Sequence, residues 1–218
     1  MAIKQALVIP PAVPRLPLLP GDARDYDKRL NRALYDIFRE PLSLGLRWDD
    51  LRFPAQGINP LGASAPPSID VDTAKFPGTL LFAGNLDNEI AGIAQMPHSW
   101  FAGSAIKPHI HWSKPVGSAN AVSWRFYYRI VGSVGDTSGA WSAAISGTLD
   151  AGVQTTADTH LFSSFGEIVM TGYKESSIVA WRVVRLGSSD ADSGTARLFE
   201  FDIHYQATKL GTVTEIPP

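Results

Sequence analysis

The chain of 218 residues contains no cysteine. Disulfide staples and cysteine-ligated zinc are thereby excluded, and the redox compartment is left open. Net charge is only −2, and charged residues make up 18%. Bulk attraction to nucleic acid or to an acidic membrane is therefore not expected. No apolar run approaches the roughly 20 residues that a membrane helix needs. The first residues carry one lysine and a short apolar run without a signal-peptide cleavage pattern. They read as part of a mature, cytosolically made protein. A Gly-x-Ser-x-Gly elbow, a His-Glu-x-x-His pair and a glycine-rich phosphate loop are all lacking, as are internal repeats. Hydrophobic residues, in contrast, reach 44%. That suffices for a sizeable core in one large β domain, or in one domain with an extension.

Residues 1–21 hold Pro10, Pro11, Pro14, Pro17 and Pro20. This spacing excludes helix and central strand and predicts an extended, polyproline-like arm. Ile3, Leu7, Leu16 and Leu18 make it too apolar for the plainer reading, a solvated tail. Residues 22–40 predict the one amphipathic helix. Asp22 or Asp25 caps it, Pro41 ends it, and Tyr26, Leu30, Leu34, Ile37 and Phe38 recur at helical spacing. Residues 1–40 are thus expected to serve assembly. Residues 41–77 are expected to form a long surface loop held down by Trp48 and Phe53. Loops of such length usually make contacts. Leu16, Leu18, Tyr26, Leu30, Leu34, Ile37, Phe38, Trp48 and Phe53 are the candidate assembly residues.

From residue 78 to 218 the pattern is β. Eight runs (79–83, 89–96, 104–113, 122–131, 143–149, 160–170, 177–186 and 195–207) are separated by glycine-rich turns. The expected fold is all-β: an eight-stranded antiparallel jelly-roll sandwich preceded by an extended N-terminal arm and one amphipathic helix. In a jelly roll the third and eighth strands are neighbours. Alternation turns Ile106, Pro108, Ile110 and Trp112 inward and Lys107, His109 and His111 outward. On the eighth run, Phe199, Phe201, Ile203 and Tyr205 are expected inward and Glu200, Asp202 and His204 outward. The two outward sets should share one exposed patch.

That patch is a candidate metal site. His109 and His111 stand about 7 Å apart at the backbone, close enough to share an ion, and Asp202 and His204 can complete the set. A cupin-like metal-dependent enzyme using His109, His111 and His204 is the chemistry this pattern allows. The plainer reading is a set of polar strand residues facing water or a partner subunit, and His-x-His alone is a weak signal. A third reading is sugar binding through exposed aromatics, with Trp100 and Trp141 in turns. Trp124 and Trp181 lie on apolar strand faces and read as core.

The stretch Trp48-Asp-Asp-Leu-Arg-Phe-Pro-Ala-Gln-Gly-Ile-Asn-Pro60, with Pro66-Pro67, Pro97-His-Ser-Trp100 and Pro108-His-Ile-His-Trp112, resembles a family of structural proteins of tailed bacteriophages and prophages. The resemblance covers roughly residues 45–205. It implies a non-enzymatic virion component, made in the bacterial cytoplasm and placed on the head, neck or tail. It also implies a homo-oligomer, with a trimer favoured, and capsid, portal or tail proteins as partners. It brings no catalytic residues, and no cofactor is expected.

Overall fold

The computed structural model describes residues 47–58, 67–71, 74–135, 137–149 and 155–208. The expected arm and helix (1–40), and with them Leu16, Leu18, Tyr26, Leu30, Leu34, Ile37 and Phe38, lie outside the described residues.

The described part is all-β, with two antiparallel sheets. In chain order the strands are β1 (Arg47–Pro54), β2 (Ser68–Ile69), β3 (Leu80–Phe82), β4 (Asp87–Gln95), β5 (Ile106–Ser113) and β6 (Trp124–Val131). They continue with β7 (Ile145–Ser146), β8 (Thr148–Leu149), β9 (Leu161–Ser164), β10 (Ile178–Leu186) and β11 (Ala196–Ala207). One sheet runs β2-β3-β11-β5-β9-β8, with β1 also paired to β11, and the other runs β4-β10-β6-β7. β3-β11-β5-β9 facing β4-β10-β6-β7 is the jelly-roll order. The third and eighth expected runs, β5 and β11, are hydrogen-bonded neighbours from Ile106↔Tyr205 to Ser113↔Arg197.

Alternation explains the core. Ile106, Ile110 and Trp112 of β5, Phe201 and Ile203 of β11, Phe126 of β6 and Trp181 of β10 are all essentially inaccessible. Rings meet between the sheets: Trp112 on Trp124 at 5.7 Å, Phe126 on Phe201 at 5.7 Å and Trp181 on Phe201 at 4.3 Å. Each such side chain contributes about 1.5–3 kcal/mol through burial. Trp124 and Trp181 are core residues, as their strand faces indicate.

Several expectations are corrected. The strand count is eleven among the described residues, not eight. The run 143–149 breaks at Gly147 into β7, in the four-stranded sheet, and β8, in the larger one. A Cβ on Gly147 would lie 2.9 Å from the Phe165 ring, so only glycine lets the chain cross between sheets there without displacing that ring. The segment 41–77 is not a loop throughout. β1 pairs with β11 along its whole length, Arg47↔Ala207 to Pro54↔Glu200, and β2 pairs with β3. Phe53 therefore anchors its own domain, with its ring 5.3 Å from Trp181 and 5.8 Å from Phe201. Finally, Phe199 does not face the core. The β5–β11 register shifts between Leu198 and Glu200. This bulge adds one residue, so Leu198 takes the inward place while Phe199 packs on Phe76 at 5.0 Å.

Trp100 is also buried, with its indole N–H donating to the Ser104 hydroxyl at 2.9 Å. Its neighbours tie the 97–104 turn to the end of β11, since Phe101 N–H donates to Gln206 O at 2.7 Å. The Pro97-His-Ser-Trp100 motif is thus a closure of the sandwich, and Trp100 offers no surface to a sugar.

Candidate functional site

The order β1-β11-β5-β9 puts four strands side by side, and their registers decide what meets on the outer face. Asp50 of β1 stands opposite His204 of β11, and His204 opposite Lys107 of β5. Asp202 stands opposite His109, and Glu200 opposite His111. His111 in turn stands opposite Phe162 of β9. Residues two apart share a face, so one side of the sheet collects imidazoles and carboxylates from three strands.

The four sequence candidates are brought together, but the patch is not uniformly exposed. His109 is 2% exposed and Asp202 4%, while His111 and His204 are half-buried. Phe162 covers His109, ring to ring at 4.5 Å. His109 Nε2 lies 2.5 Å from Asp202 Oδ1 and 3.1 Å from His111 Nε2. His111 Nε2 is 3.4 Å from Asp202 Oδ2. The His109 and His204 rings meet at 4.1 Å. One potential ligand atom each from His109, Asp202 and His204 falls within 4.8 Å of the others. Asp202 is sealed from solvent, with Oδ1 facing His109 and Oδ2 facing His111.

Three further residues complete the cluster. His160, just before β9, stacks on His111 with centroids 5.0 Å apart and shares a 2.8 Å hydrogen bond between its Nε2 and His111 Nδ1. Asp50 lies 3.0 Å from His204 Nε2. Arg52 donates twice to Glu200, at 2.6 and 2.7 Å. Adjacency would have exposed two of them. Asp50 needs β1 to be recognised as a strand, and His160 needs only the alternation that turns Phe162 outward.

Electrostatics follow from this packing. Burial lowers the pKa of His160 below the ordinary histidine value, and His111 acts in the same direction. Burial also lowers that of His204, with His109 adding to the effect and Asp50 and Asp202 opposing it. For Asp202, burial would raise the carboxyl pKa, but His109 and His111 outweigh it and hold the group below its usual range.

The cluster forms the floor of an open groove of about 940 Å³. Phe76, Phe162 and Phe199 supply its apolar walls, and Arg52, Glu200, Asp50 and Asp158 its charged rim. The groove lies on the outer face of the larger sheet, and the space between the sheets is filled by the aromatic core. A cupin-like centre, which occupies a barrel interior, is therefore not what these residues build. Trp48, at 47% exposure, lies near the groove, 6.5 Å from the His204 ring and with Lys107 Nζ 4.8 Å above its own. Trp141 is on the other sheet's side, flanked by Arg129 and Arg182 at 5.5 and 5.3 Å.

No family model and no curated protein matches the sequence. Among solved structures, the chain is similar to CBM35 from Cellvibrio japonicus Abf62, with 8% identity over 73% of this chain and 98% of that one and a TM-score of 0.39. It is similar to the CBM22-1 xylan-binding domain from Paenibacillus barcinonensis Xyn10C, with 13% identity over 77% and 99% and a TM-score of 0.38. The tailspike protein 4 enzymatically active domain of bacteriophage CBA120 shares 9% identity over 71% of this chain and 19% of that chain, with a TM-score of 0.34.

Proposed function

We propose that this chain is a non-enzymatic structural component of a tailed-bacteriophage particle, and that the groove on its jelly roll is a recognition site for a carbohydrate. The groove carries the reading. Its volume of about 940 Å³ is within the range of small-molecule sites. Phe76 is 57% exposed and braced edge-on by Phe199, which leaves an aromatic surface for the C–H face of a sugar ring. Beside it, the Arg52–Glu200 and Asp50–His204 pairs offer adjacent donors and acceptors in fixed geometry, which suits neighbouring hydroxyl groups. Within the particle, the apolar 1–40 segment would make contacts to sister subunits, in a trimer, and to capsid, portal or tail proteins. The motifs Trp48–Pro60, Pro97–Trp100 and Pro108–Trp112 and the leading proline-rich stretch support that placement.

The test is a screen of the full chain against an array of bacterial surface polysaccharides and oligosaccharides. The reading expects a small set of related glycans to bind and to compete with one another. An array that stays blank at high protein concentration would remove the carbohydrate from the proposal.

A further inference from the structure

We propose that the floor of the groove is a divalent transition-metal site, with His109, Asp202 and His204 as ligands and His111 in reach as a fourth. It shares the groove with the carbohydrate reading and does not depend on it. The first observation is convergence. Three residues of two adjacent strands bring one ligand atom each within 4.8 Å of the others. Two ligands on one tetrahedral zinc stand about 3.3 Å apart, given metal–nitrogen and metal–oxygen bonds near 2.0–2.1 Å. Side-chain adjustments of about an ångström therefore suffice, and the 2.5 Å approach of His109 to Asp202 would open as the ion enters.

The second observation is independent. Asp202 is buried, with Oδ1 turned to His109 Nε2 and Oδ2 to His111 Nε2. A buried carboxylate is costly unless it is paired, and an ion shared with the imidazoles would supply that pairing. A third is orientation. Asp50 holds His204 by Nε2, and His160 holds His111 by Nδ1. Ligating imidazoles commonly make such contacts through the nitrogen that does not bind the ion. Two imidazoles with a carboxylate select zinc, cobalt, nickel, manganese or iron(II) over calcium and magnesium. Folding stability alone does not account for the arrangement, because an apolar pair would serve as well as a buried His–Asp pair.

The experiment uses the full chain, stripped of metal with a chelator, and titrates it with Zn²⁺ and with Co²⁺. The wild type is expected to take up one equivalent of either ion, with a visible cobalt spectrum and a higher melting temperature. His204→Ala removes a half-exposed ring and Asp202→Asn keeps the side-chain shape, so both should fold by circular dichroism. Each should weaken uptake at least tenfold. Absence of stoichiometric uptake by the folded wild type would overturn the site, and so would equal uptake by His204→Ala. Stripped protein is also applied to the glycan array. Metal uptake with a blank array retains this site and removes the sugar; glycan binding without uptake does the reverse.

Discussion

Lys114 and Asp192 lie away from the groove and show how much a single buried pair weighs. Lys114 Nζ is 2.8 Å from Asp192 Oδ2, and both side chains are nearly sealed. Lys114 also donates to Ser118 O at 3.0 Å. Burial would raise the Asp192 pKa, but Lys114, the Gly194 N–H and Ser118 outweigh it, so the folded value is below the ordinary one. A depressed carboxyl contributes stability that is fully present above its unfolded value of about 3.9 and is lost as pH falls through the folded value. Urea unfolding at pH 6 and pH 3 should therefore show a smaller acid loss for Asp192→Asn than for the wild type. At pH 6 the variant should be less stable by about 3 kcal/mol, since Lys114 is left buried without its charge partner. Equal acid losses in the two proteins would remove Asp192 from the acid response. The groove residues make the complementary point. His109, His111, Asp202 and His204 were legible as one face because period-2 alternation and the third-to-eighth strand pairing both hold. Burial of His109 was not legible, because Phe162, which covers it, comes from a strand some fifty residues along the chain.

Among the elements, β11 does most of the positioning. It pairs with β5 on one edge and with β3 and β1 on the other. Its bulge turns Phe199 out to the groove wall while keeping Phe201 and Ile203 in the core. A bulge interrupts alternation without changing composition, so the run 195–207 reads as an uninterrupted strand and Phe199 as core. β1 was hidden for a related reason. Its outward positions, Asp50 and Arg52, are charged because they face the groove, and Trp-Asp-Asp-Leu-Arg-Phe-Pro gives too few apolar residues to mark a strand. In the other sheet, β4 and β10 meet at Gly92↔Trp181. A Cβ on Gly92 would lie 2.3 Å from Trp181 Cζ2, and Trp181 is held in turn by Phe53 and Phe201. Gly92→Ala should cost about 1–3 kcal/mol through overpacking, read as a lower urea midpoint with the m-value unchanged. An unaltered midpoint would mean that the β4–β10 contact yields more freely than this packing implies.

At the scale of the whole molecule, the proposed function gives the folded body and residues 1–40 separate roles. The described strands belong to one unit, Leu46–Pro218, with its own aromatic core. Deleting residues 1–40 should leave a body with unchanged β-type circular dichroism. On the proposed assembly role, the full chain should run as a multimer by light scattering, and the truncated body should run as a monomer and fail to join particles. Normal incorporation of the truncated body would contradict the assembly role. On the proposed function, the outer face of the larger sheet is the working surface. It is tested most directly by glycan binding of the full chain as wild type, Phe76→Ala and Trp141→Ala. Phe76 is a wall of the groove, while Trp141 is 37% exposed against Arg129 and Arg182 on the side of the other sheet. The account predicts that Phe76→Ala weakens the dissociation constant at least tenfold, in line with the loss of one stacked ring at about 1.4 kcal/mol or more, and that Trp141→Ala binds like the wild type. Binding that survives Phe76→Ala and fails in Trp141→Ala would place the site on the opposite sheet and contradict the account.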